Sequence, residues 1–262
     1  MTATATAITS RNIRIAPVPT TTRATSVAPL KTFCSTCHLK DLCLPCGLSG
    51  PDVQRLDGLM FGRRKIAMGE TLYREGDKFQ YVYAVRAGTF KSALTLIDGR
   101  EQVSGFQIAG ELLGLDGVAA GKHASTAIAL EDSEVCAIPY THLNDLAQQS
   151  PNLQMLMARL MSREIVREHS LMMLLGSMNA DERLAAFLLN MSQRMKARGY
   201  SANEFHLRMS RAEIGSYLGM KLETVSRTFS AFQQQRLLEV DKKHIRILDL
   251  EGLQREFETQ VH

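Results

Sequence analysis

No tryptophan occurs among the 262 residues, aromatic side chains make up only 6%, and no apolar run approaches bilayer length. The last absence excludes a helical membrane span. No signal-peptide apolar core follows the start either, so a soluble, cytoplasmic protein is expected. Asp and Glu are missing altogether from residues 1–33, a Thr-, Ala- and Pro-rich stretch with four basic residues. Such a stretch buries too little apolar surface to order itself and is expected to be a disordered tail. Organellar transit peptides share this composition. A nucleophile–base motif is lacking as well: His38, His123, His142, His169, His206, His244 and His262 are scattered, and catalysis is not expected.

Cysteine is scarce but not randomly placed. Four of the five fall within thirteen residues, Cys34-x2-Cys37-x5-Cys43-x2-Cys46, and the fifth, Cys136, lies far downstream. Inside a cell structural disulfides are rare, so bunched thiols point to metal or redox chemistry. Zinc takes four closed ligands, and Cys34, Cys37, Cys43 and Cys46 form a short knuckle of that kind. An iron–sulfur cluster also takes four thiolates but tolerates one from a distant segment, which would employ Cys136. Spacing alone does not choose between them. By itself Cys136, in Val135-Cys-Ala-Ile138, reads as a small buried hydrophobe.

The net charge of +4 is modest and unevenly spread. Residues 194–246 carry eleven Lys/Arg against five Asp/Glu, whereas the stretch bearing Asp249, Glu251, Glu256 and Glu258 turns acidic. A local basic excess is the electrostatic footprint of a nucleic-acid reader. Within it, Ser210 and Glu213 form a capping box for one helix, Gly219 supplies a tight turn, and a second helix is expected from about Leu222 to Gln234. This is a helix-turn-helix, with Ile214, Leu218 and Val225 facing inward. Lys221 stands where an oxygen-bearing cap is preferred. Glu223, Ser226 and Arg227 share one face near the start of the second helix, the part that enters a major groove. Arg can pair with guanine, Glu can accept from base amino groups, and Ser can contact base or phosphate. Residues Leu237–Ile247 read as a two-strand wing with Lys242 and Lys243 at its tip.

Upstream the texture changes twice. From about Phe61 to Pro139, short alternating segments punctuated by Gly76, Asp98-Gly99, Gly110 and Gly121 indicate an antiparallel sandwich, barrel or roll. From Ser150-Pro151 to about Met178 one long helix is expected, with Ser150 as cap. Ala158, Met161, Ile165, Glu168 and Met172 recur at alternating spacings of three and four, the seam of a parallel coiled coil. Leu153, Leu156, Leu160, Leu171 and Leu174 supply further apolar positions for packing on the chain's own β-domain. Asn179 caps the next helix, with Asp181 and Glu182 in its first turn. The fold class is therefore α+β, divided into a tail (1–33), a cysteine-rich segment (34–60), a β-domain (61–149), a dimerisation helix (150–178) and a DNA-binding domain (179–262). A two-fold DNA site needs a two-fold reader, so a homodimer is expected.

From Cys34 to about Gln235 the chain resembles the FNR group of the CRP/FNR regulators, bacterial oxygen-responsive transcription factors. The resemblance rests on Cys34-x2-Cys37-x5-Cys43, Val135-Cys-x-Ile-Pro139, Asp181-Glu-Arg-Leu-Ala-Ala-Phe187 and Leu222-Glu-Thr-Val-Ser-Arg227. It implies a β-roll of the cyclic-nucleotide-binding kind, a winged helix-turn-helix, and an oxygen-labile 4Fe–4S cluster on Cys34, Cys37, Cys43 and Cys136. Cys46 is then an alternate ligand or a free thiol. It further implies two-fold TTGAT-type DNA sites read by Glu223, Ser226 and Arg227, and contacts with RNA polymerase. The cyclic-nucleotide branch shares Gly110-Glu111-Leu112 but needs an Arg-Ser pair soon after. Here His123-Ala124-Ser125 stands in its place, so no cyclic nucleotide is expected.

The seam residue Glu168 gives a way to switch. In a parallel dimer it would face its mate, and like charges oppose association. Cluster binding is expected to pack Cys34–Cys46 against the helix at Met161 and Ile165, and oxygen to release that packing. The contrasting readings are a zinc-stabilised regulator indifferent to air, and an iron–sulfur electron carrier, which would have no use for the 222–234 reader.

Overall fold

A computed structural model describes residues 33–59, 62–96 and 98–258. The expected tail therefore lies outside the described residues, except for Phe33.

The cysteine segment runs as successive turns, Cys37 N–H donating to the Cys34 carbonyl at 3.2 Å and Cys46 N–H to that of Cys43 at 2.9 Å. It leads into α1 (Gly50–Asp57), capped by Ser49 and started by Pro51. Eight strands follow: β1 (Gly62–Ile66), β2 (Thr71–Tyr73), β3 (Tyr81–Ala87), β4 (Thr89–Thr95), β5 (Glu101–Ile108), β6 (Leu112–Leu113), β7 (Thr126–Ala129) and β8 (Ser133–Pro139). They form two four-stranded antiparallel sheets, β1-β8-β3-β6 and β2-β7-β4-β5. Alternating apolar residues such as Val85, Phe90, Ala127 and Val135 point between the sheets and are fully buried. The expected hairpin at Asp98-Gly99 joins β4 and β5, which pair from Thr89↔Ile108 to Thr95↔Glu101.

A short helix, α2 (Tyr140–Gln149), precedes the long helix α3 (Pro151–Ser177), whose cap is Ser150 as expected. Leu153 and Leu156 of α3 share a core with Leu44, Leu56, Ala84 and Ile138, and Cys34, Cys43 and Cys136 pack at its edge. Leu174, near the other end, packs on the core of the C-terminal domain. One helix thus touches the thiol region and the DNA-binding domain.

That domain comprises α4 (Ala180–Ala197), β9 (Glu204–His206), α5 (Arg211–Leu218), α6 (Leu222–Gln234), β10 (Leu238–Asp241), β11 (His244–Ile247) and α7 (Leu250–Glu258). Capping boxes at Asn179–Glu182 and Ser210–Glu213 start α4 and α5. Gly219 ends α5 with φ 62°, a conformation that favours glycine, and it lies close under Leu175 of α3. The wing gains a third strand not read from sequence, giving the order β10-β11-β9. Val103 and Phe106 of the roll enter the core of this domain, beside Phe187 and Leu184.

A candidate thiol centre and DNA interface

Cys136 lies on β8, paired across to Arg63 of β1 and Ala84 of β3. The cysteine segment is anchored over this sheet from α1: Asp57 accepts from the backbone N–H groups of Cys34 and Ser35, at 2.5 and 3.2 Å. Burial pushes the Cys34 thiol up to about 12, and Cys43, Asp57, Cys136 and Cys37 push in the same direction. Cys43 is also driven up to about 12, first by burial, then by Cys136, Cys37 and Cys46 against an opposing hydrogen bond from the Leu44 backbone. Cys136 is raised by burial above all; Arg86 and Arg63 pull it back while Cys37 and Glu134 add to the rise.

The fold brings Cys34, Cys43 and Cys136 to the edge of one apolar core, and Arg86 of β3 reaches Cys37. All five thiols are free and partly buried. Among the described residues no group of three or more His, Cys, Asp or Glu is arranged to hold a metal ion.

Two arginines beside the thiols were not read from the sequence. Arg86 Nη1 donates to Cys37 Sγ at 3.9 Å. The Nε atoms of Arg63 and Arg86 lie 3.5 and 3.4 Å from Glu134, two residues before Cys136 on β8. Only strand pairing reveals them, because β1, β3 and β8 are distant in sequence.

At the other end, Glu223, Ser226 and Arg227 are exposed on the first turns of α6, while Val225, Thr228, Phe229 and Phe232 hold its opposite face in the core. Lys221 is the N-cap and makes no side-chain capping bond, as its type foretells. Arg211 stacks over Phe229 at 3.3 Å, fixing α5 on α6. Lys242 and Lys243 form the wing turn, Lys242 with φ 55°.

Along α3, Ala158, Ile165, Glu168 and Met172 are exposed and Met161 is partly so. Arg167 Nη2 sits 3.4 Å from Glu168, giving that carboxylate a cation neighbour within its own chain. The packing of the cysteine segment on Met161 and Ile165 is an expectation for the cluster-bound protein. The segment meets the Leu153, Leu156 and Leu160 face, while Met161 and Ile165 line a cleft against Leu112–Asp116. The reason is helical phase: residues 153, 156 and 160 turn toward the roll's end, and 161 and 165 fall on another face.

Two family matches cover both halves: the Cyclic nucleotide-binding domain over residues 63–150 and the Crp-like helix-turn-helix domain over 182–256. Over 231 residues the chain is 46% identical to the Transcriptional regulatory protein btr of Bordetella pertussis, spanning 88% of this chain and 96% of that one. Over 220 residues it is 43% identical to the Fumarate and nitrate reduction regulatory protein of Escherichia coli K12, spanning 84% of this chain and 88% of that one. The chain belongs to the CRP/FNR family of transcription regulators. The solved structure of FixK2 from Bradyrhizobium japonicum is similar in fold, with a TM-score of 0.71 and 31% identity over 75% of this chain and 97% of that one.

As a CRP/FNR protein it binds DNA through α5 and α6 and regulates transcription; it is not an enzyme. No helix among the described residues is long and apolar enough to cross a membrane. A further residue that sequence reasoning missed lies in the cyclic-nucleotide-type roll. One Asp116 carboxylate oxygen accepts from Ala124 N–H at 3.0 Å, Ser125 N–H at 2.9 Å and the Ser125 hydroxyl at 2.7 Å. His123, buried and stacked on Tyr73 at 3.8 Å between ring centroids, reaches the other oxygen at 3.3 Å. The backbone of 124–125 thus already holds an anion, and it belongs to the protein.

Proposed function

We propose that this regulator senses oxygen through a 4Fe–4S cluster held by Cys34, Cys37, Cys43 and Cys136, and controls anaerobic genes as a homodimer. The observation that carries the reading is the packing of Cys34 and Cys43 with the distant Cys136 at the edge of one apolar core, with Arg86 reaching Cys37. The residues fit such a group. Three of the four soft donors, Cys34, Cys43 and Cys136, lie at the edge of an apolar core, and Arg86 reaches the fourth, Cys37, with Arg63 on the neighbouring strand to help offset thiolate charge. Zinc would need the sulfurs converged at about 2.3 Å from one point. An iron–sulfur cluster tolerates a ligand from a distant segment, and Cys136 on β8 offers one. The cluster, when bound, supplies oxygen-labile iron–sulfur chemistry; the rest is done by the chain.

The cysteine segment rests on the Leu153, Leu156 and Leu160 face of α3, so ordering that segment braces the helix whose exposed seam is Ala158, Met161, Ile165, Glu168 and Met172. Pairing of two seams sets two α6 helices against a two-fold TTGAT-type site, with Glu223, Ser226 and Arg227 reading bases. Glu168 faces its mate across the seam and keeps the association near balance, so a few kcal/mol from cluster binding shifts it decisively. RNA polymerase is the further partner. Cyclic nucleotides are not effectors in this reading, because Asp116 fills the anion-holding backbone of 124–125 and repels a phosphate.

The test is a serine series assayed for iron and acid-labile sulfide under anoxia. Cys34→Ser, Cys37→Ser, Cys43→Ser and Cys136→Ser are each expected to lose the cluster, and Cys46→Ser to keep it. Retention by Cys136→Ser together with loss by Cys46→Ser would move the site to the 34–46 knuckle.

A further inference from the structure

The sharp corner between β5 and β6 touches both functional ends of the molecule. Gly110 has φ 89°, and a Cβ there would fall 3.1 Å from the Cβ of Leu42, so the cysteine segment packs closely over it. Leu42 and Cys43 share the wall of a small cavity of about 110 Å³ with Gly110, Glu111, Leu160 and Glu164. The corner itself is pinned: Gly110 N–H donates to the Val85 carbonyl at 2.8 Å, Val85 N–H to the Glu111 carbonyl at 2.9 Å, and Ile108 N–H to Glu111 Oε2 at 3.1 Å.

From this corner the Glu111 carboxylate reaches α4 of the DNA-binding domain. Arg194 Nε and Nη2 donate to its two oxygens at 2.9 and 2.6 Å, and Arg198 Nη2 donates to Oε1 at 2.7 Å. The same guanidinium groups also grip the roll's backbone, Arg194 at the Phe106 carbonyl and Arg198 at the Ala109 carbonyl, both at 2.6 Å. A bidentate arginine contact fixes orientation as well as distance, and a second arginine on the same carboxylate removes the remaining freedom. The clamp is largely shielded, Arg198 being 7% exposed.

We propose that Glu111 is the positioning residue that transmits the state of the cysteine segment to the DNA-binding domain, through Leu42 on Gly110 at one side and Arg194 and Arg198 at the other. A shift of Leu42 moves a corner that cannot deform alone. The carboxylate carries the C-terminal half of α4 with it, and α4 packs on α6 through a Thr228–Asp181 hydrogen bond of 3.0 Å and a shared core. The relay acts within one protomer, alongside dimerisation. It deepens the cluster reading and rests on it for the physiological signal, but its mechanics can be tested without a cluster.

The experiment is a double-mutant cycle on the full-length protein, read by hydrogen exchange of residues 190–200 and by DNA affinity. Leu42→Gly removes the Cβ that sits over Gly110; Glu111→Gln keeps the shape but removes the charge holding both arginines. In the cluster-free wild-type background, Leu42→Gly is expected to change exchange in the C-terminal half of α4; in the Glu111→Gln background it should not. Ser216→Ala loosens the separate contact of α5 with Val103 N–H, 2.9 Å, and should leave the coupling intact. With cluster bound, the ratio of DNA affinities before and after air should shrink on the order of tenfold in Glu111→Gln. A Leu42→Gly effect on α4 that is equal in both backgrounds would overturn the relay. A colourless, air-indifferent wild type would overturn the cluster reading while the cluster-free cycle still decides the relay.

Discussion

Arg86 Nη1 lies 3.9 Å from Cys37 Sγ, joining a roll strand to the thiol of a loop almost fifty residues away. The contact matters because four thiolates around one group leave excess negative charge in a half-buried place. Charge-assisted donors to sulfur both orient the ligand and stabilise that charge. Arg86→Ala is therefore expected to weaken cluster retention by about tenfold to a hundredfold. Iron and sulfide content after timed exposure to a chelator measures this; unchanged retention would remove Arg86 from the site.

In the metal-free protein the raised thiols should be slow nucleophiles. Thiolate is the reactive form, and burial drives Cys34 and Cys43 up to about 12. At neutral pH both should alkylate more slowly than a free cysteine, with rates climbing steeply above pH 9. The linkage has a definite sign: a raised thiol contributes stability below its ordinary value of 9.0, lost as pH rises from there through about 12. Mass spectrometry of iodoacetamide-treated protein at pH 7 and pH 10 measures the first effect. Rapid labelling of both at pH 7 would show that these thiols are not buried as described.

Asp52 ties α1 to the start of the long helix. Buried, it accepts from the hydroxyls of Ser49 at 2.6 Å and Ser150 at 3.0 Å and from the Asn152 amide at 2.8 Å. The Ser49 and Asn152 bonds lead in holding its carboxyl below the usual 3.8. A depressed carboxyl contributes stability above the unfolded value and loses it as pH falls through the folded one. Asp52→Asn should therefore lower Tm at pH 7, and the gap from wild type should narrow as pH drops below about 4. Thermal unfolding at several pH values checks this; a constant gap would point to packing instead.

Arg227 and Glu223 stand exposed on the first turns of α6. Replacing either by alanine should cost about 1–3 kcal/mol at one base pair and relax specificity there, leaving the salt dependence of binding nearly unchanged. Lys242→Ala or Lys243→Ala on the wing should do the reverse, weakening all sequences alike and reducing the salt slope. Competition binding across single-base variants of a two-fold site separates the two outcomes.

The parts of this protein that were legible from residues are those set by local chemistry. Ser150-Pro151, Asn179–Glu182 and Ser210–Glu213 announce their helices because capping is a short-range bond, and Lys221 announces its missing cap for the same reason. The Cys-x2-Cys turns are equally local. Cys136 could be assigned by resemblance only; from its own neighbours it reads as a small core residue, and its meeting with the loop depends on pairing among β1, β3 and β8. The same non-local pairing hid Arg63 and Arg86. Helices α1 and α7 are amphipathic but only eight and nine residues long, too short for a repeating pattern to declare them, and β9 has only three residues. What lies opposite Met161 and Ile165 is equally non-local, because a seam drawn from spacing gives a face but not its neighbours.

The most direct test joins spectroscopy to DNA binding in one sample. Protein purified without oxygen is assayed for visible absorbance, iron and acid-labile sulfide, and its affinity for a two-fold TTGAT-type duplex is measured before and after air. The account predicts a straw-brown protein containing iron and sulfide, whose colour and specific DNA binding fade together on exposure. A colourless protein whose binding ignores air would contradict oxygen sensing and leave a CRP/FNR regulator controlled by some other signal.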